Sequence, residues 1–211
     1  LKTVVCSLLI LVALWPVHQI NAQEVVLIRH AEVKLEHNGW MGAKKAARLR
    51  NSYDTAPISQ FNPDTVLQKV PDRLTDTIYV SNLSRSVATG LKLYGDSAIL
   101  VSLKELNEFE MHMVWLPLVL PYKGWTSLSR ALWLMGLEKP GTESFQEAKE
   151  RVNKVCSFIE KKAEHNNQVV LVTHGFINRN IAKELEQRGW VVIKNKGKEN
   201  LGATVLKKYN N

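Results

Sequence analysis

The chain has 211 residues, 45% hydrophobic and 23% charged, with a formal net charge of +8. This is the composition of a globular protein with a substantial core, and no low-complexity tract, heptad array or fixed repeat points to a disordered, coiled-coil or solenoid chain. The basic residues are spread along the chain, with one mild cluster at KNKGK, and read mostly as a solvated surface. No base-stacking motif marks a nucleic-acid partner.

Residues 1–22 stand apart. Lys2 is followed by the apolar run TVVCSLLILVALWPV and then by HQINA. A basic start, an apolar stretch and a small residue form the order of a secretory signal, with cleavage expected after Ala22. Ile20 is bulkier than the residue usual three positions before a cut. The apolar run is short for a membrane span of about 20 residues. The expectation is an exported protein, periplasmic or extracellular, or a membrane-anchored one if the segment is retained. Cleavage would leave Cys156 as the single cysteine, so stability must come from the core and not from a disulfide. Cys156 falls on the apolar stripe of ERVNKVCSFIEKKAE and reads as a small core residue.

After this segment, Val25–Ile28 is expected as a buried strand and Gly42 to Tyr53 as a helix. Thr55 to Thr75 holds three prolines and reads as a long loop with short turns. Thr77–Ser81 is strand-like, and SRSVATGLKLYG follows as a helix ending near Gly95. Ala98–Val101 is a short apolar run. Met111 to Gly136 is rich in Trp, Leu and Met and breaks the pattern. It reads as an insertion over the sheet edge, helical from Ser127 to Met135, serving as a lid, a surface for lipid or an ordinary helical cap. From Ser144 to Glu164 apolar residues recur at helical spacing, and Val169–Thr173 is a second buried strand. FINRNIAKELEQRG is a helix, and WVVIK and ATVLKKY close the chain as two strands around a Gly-containing loop. Strands that are continuous apolar runs alternating with helices predict one α/β domain over residues 23–211. Its fold is expected to be three-layer α/β/α with a mainly parallel central sheet.

VVLIRHA and VVLVTHG are near-copies, each a buried strand ending in a histidine, His30 and His174. A third strand, TIYVS, leads to Arg85 at the start of a helix. Ligands bind at the carboxyl ends of strands in open α/β sheets, so Arg29, His30, Arg85 and His174 can converge there if the strands are neighbours. Arginines chelate phosphate oxygens through a planar fork, an imidazole can attack phosphorus, and helix N-termini add donors. Two histidines with no nearby Asp or Cys make a poor zinc site.

LIRHAE resembles the Arg-His-Gly signature of the histidine phosphatase superfamily, the phosphoglycerate mutase-like fold. VSNLSRSVATG is similar to that family's Ser-x-Leu-x-Arg-x-x-x-Thr segment, LNEFEM to its Leu-x-Glu segment and VTHGFINR to its second His-Gly segment. The resemblance implies that His30 is the nucleophile and that Arg29, Arg85 and His174 bind the phosphoryl group. It implies Glu108 as the proton donor, with a raised pKa or an acidic optimum; Glu105 and Glu110 are rivals that read more simply as exposed charges. No metal or cofactor is required. Ala31 stands where the family commonly has Gly. The expected activity is hydrolysis of a small-molecule or lipid phosphomonoester, with peripheral membrane contact open. Phosphoglycerate mutase-type transfer and a weakly catalytic phosphate-binding envelope protein are the alternatives.

Overall fold

The computed structural model describes residues 22–137 and 139–209. The expected signal therefore lies outside the described residues, save Ala22, which opens the first strand.

A six-stranded sheet in the order β4-β3-β6-β1-β8-β7 runs through the centre. Its strands are β1 (Ala22–Arg29), β3 (Thr77–Ser81), β4 (Ile99–Leu103), β6 (Gln168–Thr173), β7 (Val191–Asn195) and β8 (Ala203–Tyr209). β4, β3, β6 and β1 pair in parallel, while β8 is antiparallel to both β1 and β7. Only β8 therefore runs against the rest, and the sheet is mainly parallel as expected.

Both faces are covered, which is why β1 and β6 are unbroken apolar runs. On one face Val25, Leu27, Val169 and Leu171 pack against α5 (Phe145–Asn166) and α6 (Gly175–Gln187). On the other, Val26, Ile28, Val170 and Val172 meet α2 (Pro63–Leu67) and α3 (Ser84–Tyr94). Alternation along each strand sends successive side chains to opposite layers. Cys156 is free and fully buried in the first of these cores.

α5 starts at a reciprocal cap: the Glu147 N–H donates to the Ser144 hydroxyl (3.1 Å), and the Ser144 N–H to the Glu147 carboxylate (2.7 Å). The expected loop from Thr55 to Thr75 contains the short α2. Asn62 accepts from the Asp64 N–H, and Pro63 opens that helix where its missing N–H costs nothing.

The segment 111–136 departs most from expectation. β5 (Val119–Pro121) pairs antiparallel with β2 (Trp40–Gly42) in a separate two-stranded sheet, and α4 (Tyr122–Leu134) follows. α4 starts five residues before the predicted Ser127. Met113, Tyr122 and Trp125 form a small core with Met41, Ala43 and Ala46 at the start of α1 (Ala43–Thr55). The Trp125 indole N–H donates to the Met41 carbonyl (2.7 Å) and ties α4 to β2. Trp115 and Val119 remain exposed. So held, α4 stands as a wall beside the carboxyl ends of the central strands. No helix among the described residues is long and apolar enough to cross a membrane.

Candidate active site

β1 and β6 pair with Arg29 opposite Thr173, so VVLIR lies against VVLVT residue for residue. The next residue on each strand is a histidine, and the His30 N–H donates to the Thr173 carbonyl (2.9 Å). This register delivers both imidazoles to one spot, with ring centroids 5.0 Å apart and edges to faces. β3, on the far side of β6, ends at Ser81, and α3 then carries Arg85 into the same place. Arg29, His30, Arg85, His174 and Glu108 all line one cleft of about 1390 Å³ at this end of the sheet.

Hydrogen bonds set the tautomers. His30 Nδ1 lies 2.6 Å from the Ala31 carbonyl. A carbonyl only accepts, so Nδ1 carries the proton and Nε2 the lone pair. Arg85 Nε donates to His174 Nδ1 (3.2 Å), so the His174 proton sits on Nε2 and is donated to the Ser81 hydroxyl (2.8 Å). Ser81 in turn donates to Asn107 Oδ1 (2.8 Å). Both imidazoles are neutral. Burial pushes the His30 pKa down to about 3, against the bond to the Ala31 carbonyl, and the charges of Arg85 and Arg29 lower it further. His174 is held well below its ordinary value, first by burial and then by Arg85, His30, Arg50 and Arg29.

These shifts bear on stability. An unfolded histidine titrates near ~6.5. Below that pH the unfolded chain takes up protons that the folded imidazoles refuse. Stability is therefore complete above ~6.5 and falls as the pH drops toward the folded values, by up to about 1.4 kcal/mol per pH unit for each histidine. Thermal melts should show Tm declining through this window, and His174→Asn should flatten the decline. An unchanged slope in that variant would mean that His174 titrates normally.

The arginines are held from several sides. The Arg85 guanidinium lies 5.0 Å from the centre of the Tyr53 ring, and its Nη1 donates to Asp54 Oδ1 (2.7 Å). Arg50 donates to the same Asp54 oxygen (2.7 Å). The Arg29 N–H donates to the Gly202 carbonyl (3.0 Å), and its guanidinium reaches the Lys198 carbonyl. Asn200 donates to the His30 carbonyl (3.0 Å). The loop joining β7 to β8 thus braces the end of β1. Gly202 is required there, since a Cβ would stand 1.9 Å from the Lys196 carbonyl oxygen. Part of the KNKGK cluster is accordingly support for the site and not merely solvated surface.

Ala31 fits without strain. It is buried, its φ is not in the left-handed region, and its N–H donates to Thr89 Oγ1 (2.9 Å).

Glu108 is placed by the start of α6. Its Oε1 accepts from the Ile177 N–H (3.1 Å) and the Phe109 N–H (3.1 Å), and its Oε2 from the Phe176 N–H (3.1 Å). A carboxylate at a helix N-terminus satisfies donors that have no partner within the helix. Arg151, from α5, donates to the carbonyls of Glu105 (2.6 Å) and Asn107 (2.9 Å) and fixes the turn that carries Glu108. Glu105 and Glu110 are exposed and outside the lining of the cleft.

Sequence reasoning missed Arg50, Tyr53, Asp54, Asn107, Asn200 and Arg130. Asn107 stands beside Glu108 in LNEFEM, and its position next to a site residue was the one signal available. The others depend on which helix or loop folds over the strand ends.

A family model described as the histidine phosphatase superfamily (branch 1) matches residues 25–211. No curated protein matches the chain by sequence. Among solved structures, the alpha-ribazole phosphatase from Shigella flexneri superposes with a TM-score of 0.53 at 16% identity, over 86% of this chain and 89% of that one. A phosphoserine phosphatase mutant from Entamoeba histolytica does so with a TM-score of 0.53 at 17% identity, over 86% and 89%. A mycobacterial glucosyl-3-phosphoglycerate phosphatase gives 0.51 at 20% identity, over 79% and 80%. At these identities the likeness is one of fold.

Proposed function

Because the chain belongs to the histidine phosphatase superfamily, whose chemistry is phosphoryl hydrolysis or transfer, we propose that it hydrolyses phosphomonoesters through a phosphohistidine at His30. The observation that carries this reading is the state of His30: neutral, with Nδ1–H bonded to the Ala31 carbonyl and the lone pair on Nε2. A nucleophile needs that lone pair at working pH without a separate base to expose it.

Nε2 attacks phosphorus in line with the ester oxygen as the P–O bond breaks. Arg29 and Arg85 neutralise charge on the equatorial oxygens. Glu108 gives its proton to the departing alkoxide. Water then attacks the phosphohistidine, loses a proton to the Glu108 carboxylate, and the N–P bond breaks to release phosphate and restore His30. In the resting site the Arg85 Nε–H occupies His174 Nδ1. For His174 to donate to the phosphoryl group, Nδ1 must gain a proton, which a bound phosphate dianion favours.

Export to the periplasm or the exterior belongs to the same proposal. Its support is the order of Lys2, the apolar run and Ala22.

The test is to incubate the protein with p-nitrophenyl phosphate, follow phosphate release, quench in alkali and map the phosphorylated residue by mass spectrometry. The expected product is an acid-labile, alkali-stable phosphoryl group on His30. Phosphate release with the group on another residue, or no release, overturns the reading.

A further inference from the structure

Arg130, like Arg29 at the strand ends, lines the cleft without an ion pair among the described residues. Arg130 projects from α4, with its guanidinium 4.9 Å from the centre of the Trp133 ring and 4.8 Å from that of Phe176. Its Nη2 makes a long hydrogen bond to the Phe109 carbonyl (3.4 Å). Its Nη1 is buried with no hydrogen-bond partner among the described residues. Arg151 and Arg188, by contrast, are paired with Glu143 (2.6 Å) and Glu160 (2.9 Å). A guanidinium withdrawn from water between two aromatic faces, with a donor left over, is costly unless an anion completes it. Burial lowers its pKa, and Glu108 pulls the other way.

Its position gives that anion an address. Phe176 lies against the Arg130 guanidinium, and the backbone N–H of the same residue donates to Glu108 Oε2 (3.1 Å). Arg130 is therefore one residue away from the group that protonates the leaving oxygen. The phosphoryl cluster of Arg29, Arg85 and the two histidines belongs to the strand ends, whereas Arg130 comes from the α4 wall. Its contact with Phe176 puts it beside Glu108, on the side where the leaving alcohol would lie.

We propose that Arg130 forms a second anion subsite, and that the substrate is a phosphomonoester whose alcohol carries a carboxylate or a second phosphate a few bonds from the ester oxygen. This rests on the phosphatase reading above. A planar fork held between rings suits a carboxylate or phosphate better than a neutral hydroxyl, because it donates two parallel hydrogen bonds to an anion. The segment 111–136, for which a lid, a lipid surface and a helical cap were open, then has a definite task, which is to read the alcohol.

The test compares kcat/KM within matched pairs: phosphoglycerate against glycerol phosphate, phosphoserine against phosphoethanolamine, and fructose bisphosphate against fructose monophosphate. The first two pairs differ by a carboxylate and the third by a phosphate, so the arms distinguish the two anions. The wild-type protein is expected to prefer the more anionic member of at least one pair by about 10- to 100-fold, mainly through KM. Arg130→Met, which keeps the apolar contact with the rings, should bring that ratio near unity, and Arg130→Lys should leave an intermediate value. Wild-type ratios near unity, or a ratio that survives Arg130→Met, overturn the subsite while hydrolysis itself continues. The wild-type ratios need no variant, so the proposal stays exposed if Arg130→Met does not fold. Absence of hydrolysis on every member and on p-nitrophenyl phosphate would instead defeat the phosphatase reading, and the subsite with it.

Discussion

Changing His30 to alanine is expected to lower kcat/KM by about 10,000-fold or more on every phosphomonoester. The alanine removes the atom that the proposed mechanism makes the nucleophile, and nothing else in the cleft replaces it. His174 has its lone pair on Nδ1 engaged by Arg85 and its other nitrogen donating to Ser81. Water would have to attack directly, without a base placed for that step. Arg29 and Arg85 stay, so inorganic phosphate should still bind, with an affinity changed by less than about tenfold. That separation of catalysis from binding is the informative part. A variant that loses both has lost the pocket, and one that keeps turnover has its nucleophile elsewhere. The substitution also empties a buried position and leaves the Ala31 carbonyl without its donor, at a cost of about 1–3 kcal/mol in stability. Melting of the variant should be measured alongside its kinetics.

The pairing that creates this site was visible in the chain because of where it lies. Strands buried on both faces carry apolar residues at every position, so VVLIRH and VVLVTH are conspicuous. Parallel neighbours in register then need no more than alignment of the two strings. The long helix α5, before the second of these strands, was marked by apolar residues at helical spacing. α4 was harder. Its buried residues Tyr122, Trp125, Ser129 and Trp133 do follow helical spacing, but Gly124 interrupts the first turn and Pro121 immediately precedes it. β2 and β5 have three residues each, too few for an alternating pattern. They are strands because they meet one another, a tertiary fact.

The same division runs through the site. Arg29, His30, Arg85 and His174 sit at or just after strand ends, where fold class alone says ligands bind. Tyr53, Asp54 and Arg50 belong to an amphipathic helix whose sequence does not say what it crosses. Their role exists only because α1 passes near α3 and presents Asp54 to Arg85. Arg130 is still less conspicuous, one of 28 basic residues in a stretch, LSRALW, with nothing unusual about it. What sets it apart is burial beside two rings without a carboxylate, and burial is a property of the packed molecule.

Glu108→Gln should separate proton donation from phosphoryl transfer. Gln keeps the volume but has no proton to give an alkoxide. An alkyl phosphate has a poor leaving group and needs that proton, so its rate should fall by about 100- to 10,000-fold. p-Nitrophenolate leaves almost unaided, so hydrolysis of p-nitrophenyl phosphate should fall by less than about tenfold at the phosphorylation step. A plot of log rate against leaving-group pKa should therefore be steep in the variant and shallow in the wild type. Equal losses on both substrates would mean that Glu108 orders the site and does not act as the acid. Structure makes that alternative a serious one, because both carboxylate oxygens already accept backbone N–H groups at the start of α6. Gln can offer only one oxygen to those donors and turns an NH₂ group toward the other. The variant should accordingly lose about 1–2 kcal/mol from the cap and the helix dipole. Tm reports the cap, while the dependence on leaving group reports the acid. The two roles are not exclusive: a carboxyl that must pick up a proton and then release it gains from being fixed, and the N–H groups that fix it also receive the anion left after donation.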